Sequence, residues 1–336
     1  MKCAAPLRLL LVSVLLSLAL LGLRLQQEPP PAPPEPPEPP AAFAWREAPG
    51  ANGTTRAPRH PLRPPYPYPY RFLLNEPHKC AGQAPFLVLL VASLPQDTAA
   101  RHAVRRTWGN ESAAGGARVV RLFLTGVHPV FGAPLQRLLR EESARYGDLL
   151  QQDFLDTYNN LTLKTLMGLE WVSKYCPGAA YVLKADQDVF LNPAYLVRRL
   201  LLPPKRGFVT GHVYRGTAPL RSKLYKWYVP REVFAEATYP PYCGGPAYVL
   251  SGDVARGVFG AAQRLPLINM EDAFVGLCLR ALRVRPAPPP PGLFNMQRVP
   301  FERCRFARLV MVHHYEPAEL LRVWPQLQGA DAACPP

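Results

Sequence analysis

Asp186 and Asp188 stand one residue apart in the otherwise apolar stretch YVLKADQDVF. Carboxylates that close repel each other, so the pair calls for a cation, a shared proton or full solvation. If the backbone stays extended, both side chains share one face, where their oxygens can reach one hard divalent ion, Mg²⁺ or Mn²⁺. Such an ion keeps positions open for the phosphates of a substrate. An isolated D-x-D arises often in loops. At the end of a buried strand, with Lys184 beside it, it carries more weight. An EF-hand is excluded, because neither the glycine at the sixth position nor the acid at the twelfth is there.

Further candidates come later in the chain. Glu271 and Asp272 precede an apolar run in MEDAFVGL. Acids at a helix start are favoured by the dipole alone, but a carboxylate general base at a cleft has the same pattern. His313 ends the run RLVMV and is either structural or a metal ligand. Trp227 and Tyr228 are either core or a platform for sugar rings. Glycine-rich phosphate loops, a G-x-S-x-G elbow and C-x-x-C zinc pairs are all missing from the sequence, so a diphosphate would be held by metal and side chains.

These residues need a scaffold. FLVLLVAS (86–93), VVRLFLTG (119–126) and YVLK (181–184) read as strands covered on both faces. A shorter strand is expected in DLLQQDFLD. Helices are expected over TAARHAVRRTW, capped by Asp97 or Thr98, over PLQRLLREESARYG, ending at Gly147, and over NLTLKTLMGLEWVSKYC. Alternating strands and helices predict an α/β fold with a mostly parallel sheet flanked by helices, in which ligands bind beyond the carboxyl ends of strands. Asp186 and Asp188 fall there. The second half, rich in aromatics, glycine and proline, reads as loops around a cleft.

The chain has 336 residues, 42 of them proline, and a net charge of +15 from 39 Lys and Arg against 24 Asp and Glu. Basic balance favours anionic partners or simply keeps the surface soluble. The N-terminus narrows the choice. Lys2 and Arg8 precede an uncharged apolar run, Leu9–Leu23, shorter than the roughly 20 residues of a typical span. No A-x-A cleavage site follows it. The expected layout is a cytoplasmic tail at 1–8, a signal-anchor helix at 9–25, a proline-rich stem at 26–71 in extended polyproline conformation and a lumenal domain at 72–336. A cleaved signal peptide is the other reading, and either one removes nucleic acid as a partner. Cys80, Cys176, Cys243, Cys278, Cys304 and Cys334 make an even set in an oxidising compartment, with pairing left open. Sequons at Asn52, Asn110 and Asn160 are glycan acceptors there.

Taken together, RHAVRRTWGNE, DFLDTYNNLTLKTLMGLEWV, YVLKADQDVFLN, KWYVPREVF, YPPYCGGPAYVLS, MEDAFVGLCLR and VMVHH resemble the Golgi β-1,3-glycosyltransferases, glycosyltransferase family 31. NEPHKC, NLTLKTLMG and EDAFVGLCL lean toward its galactosyltransferase branch. The resemblance implies a GT-A fold, a single-pass type II Golgi membrane protein, and inverting, Mn²⁺-dependent transfer from a UDP-sugar to a glycan. It implies that Asp188 binds Mn²⁺, that Asp186 holds ribose or assists the metal, and that His313 completes the coordination. Arg101, Arg105 and Trp108 would lie near the uridine, with Lys164 and Lys184 reaching the nucleotide. Asp272 would be the catalytic base, Glu271 would contact sugar, and Trp227 and Tyr228 would line the acceptor side.

Two departures stand out. The family usually has C-S-G-T-G-Y or C-G-G-G-G-Y where this chain has CGGPAY, and a left-handed backbone at Ala247 would be strained. The usual E-D-V is E-D-A at Ala273. The expected activity is transfer of galactose from UDP-galactose to the 3-hydroxyl of a terminal GlcNAc or GalNAc. The alternatives are transfer of GlcNAc onto galactose, a metal-dependent phosphohydrolase, and a non-catalytic sugar-binding protein on the same fold.

Overall fold

Long runs of Val and Leu set the centre of the molecule, because only a strand sandwiched between helices can hide such a run on both faces. A computed structural model describes residues 60–112, 114, 116–328 and 334. The expected tail, the anchor at 9–25, the stem up to residue 59 and Asn52 lie outside the described residues. Among the described residues, no helix is long and apolar enough to cross a membrane.

The elements in chain order are β1 (Phe72–Leu74), β2 (Leu87–Ala92), α1 (Thr98–Arg106), β3 (Val119–Val127), α2 (Gly132–Tyr146), β4 (Leu149–Leu155) and α3 (Leu161–Tyr175). Then come β5 (Tyr181–Asp186), β6 (Val189–Leu191), β7 (Val209–Tyr214), β8 (Tyr242–Ser251), α4 (Gly252–Ala262), α5 (Glu271–Ala281), β9 (Phe294–Asn295), β10 (Met311–His313) and α6 (Pro317–Gln328). The α2 helix ends where expected, at Gly147, whose left-handed φ of 56° closes the last turn and suits a residue without Cβ.

Seven strands form the main sheet in the order β1-β4-β3-β2-β5-β8-β7, and β6, β10 and β9 form a second, small sheet. The pairs β4–β3, β3–β2 and β2–β5 are parallel. The pairs β1–β4, β5–β8 and β8–β7 are antiparallel. The sheet is therefore mixed, not mostly parallel. The difference comes from β8, a ten-residue strand whose Gly-Gly-Pro reads as a turn in sequence. Its pairing with β7 shifts register between Gly211 and Val213, and its pairing with β5 ends at Ala247, opposite Ala185. Pro246 sits at that irregularity, where no ladder N–H is needed. Ala247 is buried in extended strand and pairs with Ala185. The only non-glycine residues with positive φ among those described are Arg283 and His314, so the strain expected at Ala247 does not arise.

Side-chain alternation along the strands splits the core in two. Val88, Leu90, Val182 and Leu250 face α3, α4 and α5, while Leu87, Leu89, Leu183 and Val249 face the layer that includes α1 and α6. The segment 60–70, expected as the end of the spacer, joins the first of these cores. Tyr66 and Tyr70 pack against it, and the Arg63 guanidinium donates to the Val233 carbonyl at 2.6 Å. Two disulfides, Cys80–Cys176 and Cys304–Cys334, form from the six-cysteine set, leaving Cys243 and Cys278 free and buried. Both cores and both bridges lie within residues 60–336.

A buried chain of charges fastens the second core. Arg101 and Arg105 meet Glu142 at 2.7 Å each, Arg105 meets Asp148 at 2.7 Å, and Arg121 meets Asp148 at 2.6 Å. Burial pushes the Asp148 carboxyl up, but the two arginines outweigh it and hold it below the ordinary range. Removing one member of such a buried pairing leaves its partners uncompensated, at a cost of about 3–5 kcal/mol. Asp148→Ala should lower the urea midpoint of the 60–336 protein by that equivalent, with an unchanged m-value. A shift equivalent to less than about 1 kcal/mol would mean the arginines re-pair or reach water.

Candidate active site

The two aspartates lie where the main sheet hands over to the small one. Asp186 is the last residue of β5, and Ala92 at the end of β2 is its neighbour. Gln187 and Asp188 form a turn, and Val189 then opens β6 and pairs with His313 on β10. The turn separates the carboxylates, so they do not share the face of an extended strand. Asp186 accepts from the Lys184 ammonium at 2.6 Å. Asp188 lies 3.5 Å from His313 Nε2. Burial pushes Asp188 up, but the hydrogen bond and charge of His313 outweigh it and hold it below the usual carboxylate range.

Asp188, His313 and His314 place potential ligand atoms within 4.8 Å of one another. The two imidazoles stack at 3.7 Å. Asp186 is outside this group. His314 was not anticipated as a ligand, although VMVHH places it next to His313. It sits at φ 65°, a costly conformation for a branched-free but bulky residue. It is held there because its carbonyl accepts from Arg298 at 2.7 Å and the next N–H, from Tyr315, donates to the Asp188 carbonyl at 2.9 Å. A carboxylate with imidazoles is a donor set for divalent first-row metal ions, with the carboxylate the part that suits Mn²⁺, so the donor set fits a metal. A cleft of about 270 Å³ opens beside it, lined by Gln96, Asp97, Ala99, Gln187, Asp188 and Glu316 among others. A smaller cavity of about 120 Å³ under Tyr66, Tyr68 and Tyr70 is lined by none of the candidate residues.

Asp272 and Glu271 open α5. The acids differ completely in surroundings. Glu271 is buried and accepts from Tyr248 Oη at 2.6 Å and Thr165 Oγ1 at 2.8 Å, with Lys184 Nζ 3.7 Å from its other oxygen. Both hydroxyls fall on the same oxygen, Oε1. Asp272 is half-buried and accepts from the N–H of Gly245 at 3.0 Å and of Ala273 at 2.8 Å. Burial and then the Glu271 charge push it up to about 7, where a carboxylate can both take and hold a proton near neutrality.

Lys184 joins the two groups. Its ammonium donates to Asp186 and, at 2.7 Å, to the Gly245 carbonyl. The same Gly245 residue donates its N–H to Asp272. Burial pushes the lysine down, but Asp186 and Glu271 outweigh it and keep it firmly protonated.

Four expected nucleotide contacts prove to be supports. Arg101 is fully buried and donates to Glu142, Ser93 Oγ, the Leu94 carbonyl at 2.6 Å and the Pro95 carbonyl at 3.2 Å. Lys164 is buried and donates to the Ser93 carbonyl at 2.7 Å and pairs with Asp156 at 2.7 Å. Both shape the Ser93–Pro95 turn behind Gln96 and Asp97, which line the cleft. Arg105 is consumed by Glu142 and Asp148, and Trp108 is buried in the second core.

Trp227 is half-exposed, and its indole lies beside the Tyr158 hydroxyl. Burial, then Asp272 and Asp186, push that phenol up to about 12. Tyr158 therefore stands between the acids and the loop carrying Trp227, a role that no spacing in NNLTLK-type sequence signals. The Tyr228 carbonyl accepts from Asn269 Nδ2 at 3.1 Å, just ahead of α5. Of the sequons, Asn110 is exposed, whereas the Asn160 amide donates to the Leu155 carbonyl at 2.9 Å.

A metal-compatible cluster beside an acid-lined cleft, and a carboxylate with a raised pKa at the start of α5, on a mixed α/β fold, suit a group-transfer enzyme. A family model described as Galactosyltransferase matches residues 99–290. Beta-1,3-galactosyltransferase 2 of Mus musculus is 44% identical over 268 residues, covering 79% of this chain and 64% of that protein. Beta-1,3-galactosyltransferase 1 of Mus musculus is 40% identical over 272 residues, covering 80% of this chain and 81% of that protein. A solved glycosyltransferase involved in glycosylation of the major capsid of PBCV-1 is a distant likeness, with TM-score 0.38 at 11% identity over 72% of this chain and 100% of that one. This chain belongs to the galactosyltransferase family. It spans about two thirds of the length of the first of these relatives, 64%.

If Glu271 tunes Asp272, Glu271→Gln removes a like charge and lets Asp272 ionise more easily. Activity that needs ionised Asp272 falls as pH drops through about 7 in the native protein. In the variant this acidic limb should move to lower pH, by about one unit. A profile of kcat/KM against pH checks it, and an unmoved limb would refute the coupling.

Proposed function

We propose that this chain is an inverting β-1,3-galactosyltransferase on a GT-A fold. It moves galactose from UDP-galactose to the 3-hydroxyl of a terminal GlcNAc or GalNAc. The observation that carries the reading is Asp272, an elevated carboxylate connected through Gly245 and Lys184 to the D-x-D turn. The names of the relatives support the same donor sugar and linkage. Intact Asp188, Asp272 and His313, and an unstrained Pro246–Ala247, favour catalysis over a purely sugar-binding role.

In the reaction, Asp272 takes the proton of the acceptor hydroxyl. The freed oxygen attacks the anomeric carbon from the face opposite UDP. The carbon–oxygen bond to the β-phosphate breaks, UDP leaves with the electron pair, and the configuration at carbon 1 inverts. The N–H groups of Gly245 and Ala273 hold the Asp272 oxygens in place before and after protonation. Asp188, His313 and His314 would hold Mn²⁺. When bound, that ion neutralises charge building on the departing diphosphate. Asp186 stays with Lys184 and fixes the end of β5.

The anchor at 9–25, a lumenal Golgi domain and glycosylation at the sequons belong to the same reading. Two disulfides, Cys80–Cys176 and Cys304–Cys334, support an oxidising compartment.

The test is a donor panel. Protein from residue 60 to 336 is given UDP-galactose or UDP-GlcNAc, Mn²⁺ and GlcNAc- or galactose-terminated acceptors, and the product linkage is read. The expected product is β-1,3-galactosylated GlcNAc, abolished by EDTA and restored by Mn²⁺. Transfer from UDP-GlcNAc alone would replace the galactosyl reading. Release of phosphate without an acceptor would point to a phosphohydrolase.

Asp272→Asn should fold normally and lose about 10²–10⁴-fold in kcat, the range of general base catalysis. Asp188→Ala should lose Mn²⁺-dependent turnover, and full turnover in that variant would sink the metal assignment.

A further inference from the structure

The smaller cavity, under the segment that leads into β1, has no part in the transfer chemistry. In PPYPYPYRF, residues 64–72, three tyrosines alternate with prolines. The prolines fix φ, so the segment has few other conformations to lose. Tyr66, Tyr68 and Tyr70 all line the cavity. Leu163, Met167 and Glu170, at the spacing of one helical face, bring α3 to the same space.

The walls are fixed by contacts of their own. Gln263 Nε2 donates to the Tyr66 hydroxyl at 2.6 Å, and the Tyr70 hydroxyl donates to the Pro65 carbonyl at 3.1 Å. The Arg63 guanidinium ties the start of the segment to the Val233 carbonyl. The rings of Tyr68 and Tyr70 stand 4.8 Å apart and inclined at 58°, as a wedge.

Glu170 gives the cavity its charge. It is partly buried, and its Oε2 accepts from Gln152 Nε2 at 2.9 Å. No lysine, arginine or histidine among the described residues pairs with it. Lys174, one turn further along α3, lies 5.2 Å over the Tyr175 ring instead. The charge is felt at the rings. Burial raises the Tyr66 phenol, the Gln263 hydrogen bond offsets part of that, and the Glu170 charge adds to it. In a chain of net charge +15, this carboxylate faces three tyrosines.

The lining selects the ligand. Glu170 repels an anion. An apolar molecule would strip water from the carboxylate with nothing in return. The volume of about 120 Å³ has room for roughly four water-sized groups, too few for a hexose. One carboxylate falls short of the several oxygens that Ca²⁺ or Mg²⁺ takes. A compact organic ammonium meets every demand. Its charge is balanced by Glu170, and its carbon groups rest on aromatic rings, which attract cations.

We propose that this cavity is a binding site for a compact organic ammonium ion, held between Glu170 and the rings of Tyr66, Tyr68 and Tyr70. The site is separate from the cleft, and its test reads binding alone, so it stands without the transferase reading.

The probes are tetramethylammonium, methylammonium and tert-butanol, a neutral molecule of nearly the shape of the first. Each is titrated calorimetrically, at equal ionic strength, into the 60–336 protein, which holds both cores and both disulfides. One ammonium ion should bind per chain, at least about tenfold more tightly than tert-butanol. Tetramethylammonium ahead of methylammonium means that the rings lead, and the reverse order that the carboxylate does. Either order supports the site. Glu170→Gln and Tyr68→Leu should each weaken ammonium binding at least about fivefold and leave tert-butanol unchanged. Equal binding of tert-butanol and tetramethylammonium by the native protein overturns the proposal, because the cavity is then a mere apolar hole. Binding of none of the three also overturns it, since the space then holds water only. Both of these results come from the native protein and do not depend on whether a variant folds. Ammonium binding that survives intact in both folded variants places the ion elsewhere and overturns the assignment.

Discussion

Lys184 is the interaction on which the site depends. A protonated amine in the middle of a buried strand is expensive unless its partners are fixed. Here those partners come from three places: Asp186 two residues ahead, the Gly245 carbonyl on the neighbouring strand β8, and Glu271 at the start of α5. Each was brought to the lysine by a different part of the chain. The ammonium therefore sets the distance between the D-x-D turn and the helix that carries Asp272. It also offsets the repulsion among Asp186, Glu271 and Asp272, which would otherwise drive the turn and the helix apart.

The acids near Lys184 are not equivalent, and the difference follows from what each one touches. Glu271 is surrounded by two hydroxyls and the ammonium and is committed inward. Asp272, next to it, receives only backbone N–H groups and bears the burial and the neighbouring charge. This arrangement costs folding free energy and produces a base near neutrality, the usual trade at a functional site. His314 shows the same pattern in the backbone. Its left-handed conformation is imposed by Arg298 and by the Tyr315–Asp188 hydrogen bond, and the result is a second imidazole at the candidate metal cluster.

The arginine segment teaches a related lesson. In sequence, R-x-x-x-R-x-x-W looks like a ready phosphate clamp, since guanidinium groups favour oxyanions. In the structure the oxyanions are Glu142 and Asp148, internal to the protein. The spacing puts Arg101 and Arg105 on one helical face, but it does not say whether that face meets a ligand or the rest of the chain. Arg101 acts on the cleft at one remove, through the Ser93–Pro95 carbonyls.

The sequence by itself determined the strands of the first half, the helices between them and the position of the aspartates at a strand end. It did so because continuous apolar runs and helical periodicity are local and one pattern wins clearly. Asp186, Asp188, Asp272 and His313 were legible for the same reason: acids or histidine bordering apolar runs are unusual enough to notice. The antiparallel strand β8 was hidden, because Gly244–Gly245–Pro246 has turn chemistry and only pairing with β5 and β7 makes it extended. The tertiary structure alone decided which side chains meet solvent and which meet each other. It turned Glu271, Lys164 and Arg101 inward, brought Tyr158 between the acids and Trp227, and joined His314 to Asp188. Those outcomes depend on contacts between residues tens to hundreds of positions apart, and no short-range pattern encodes such contacts.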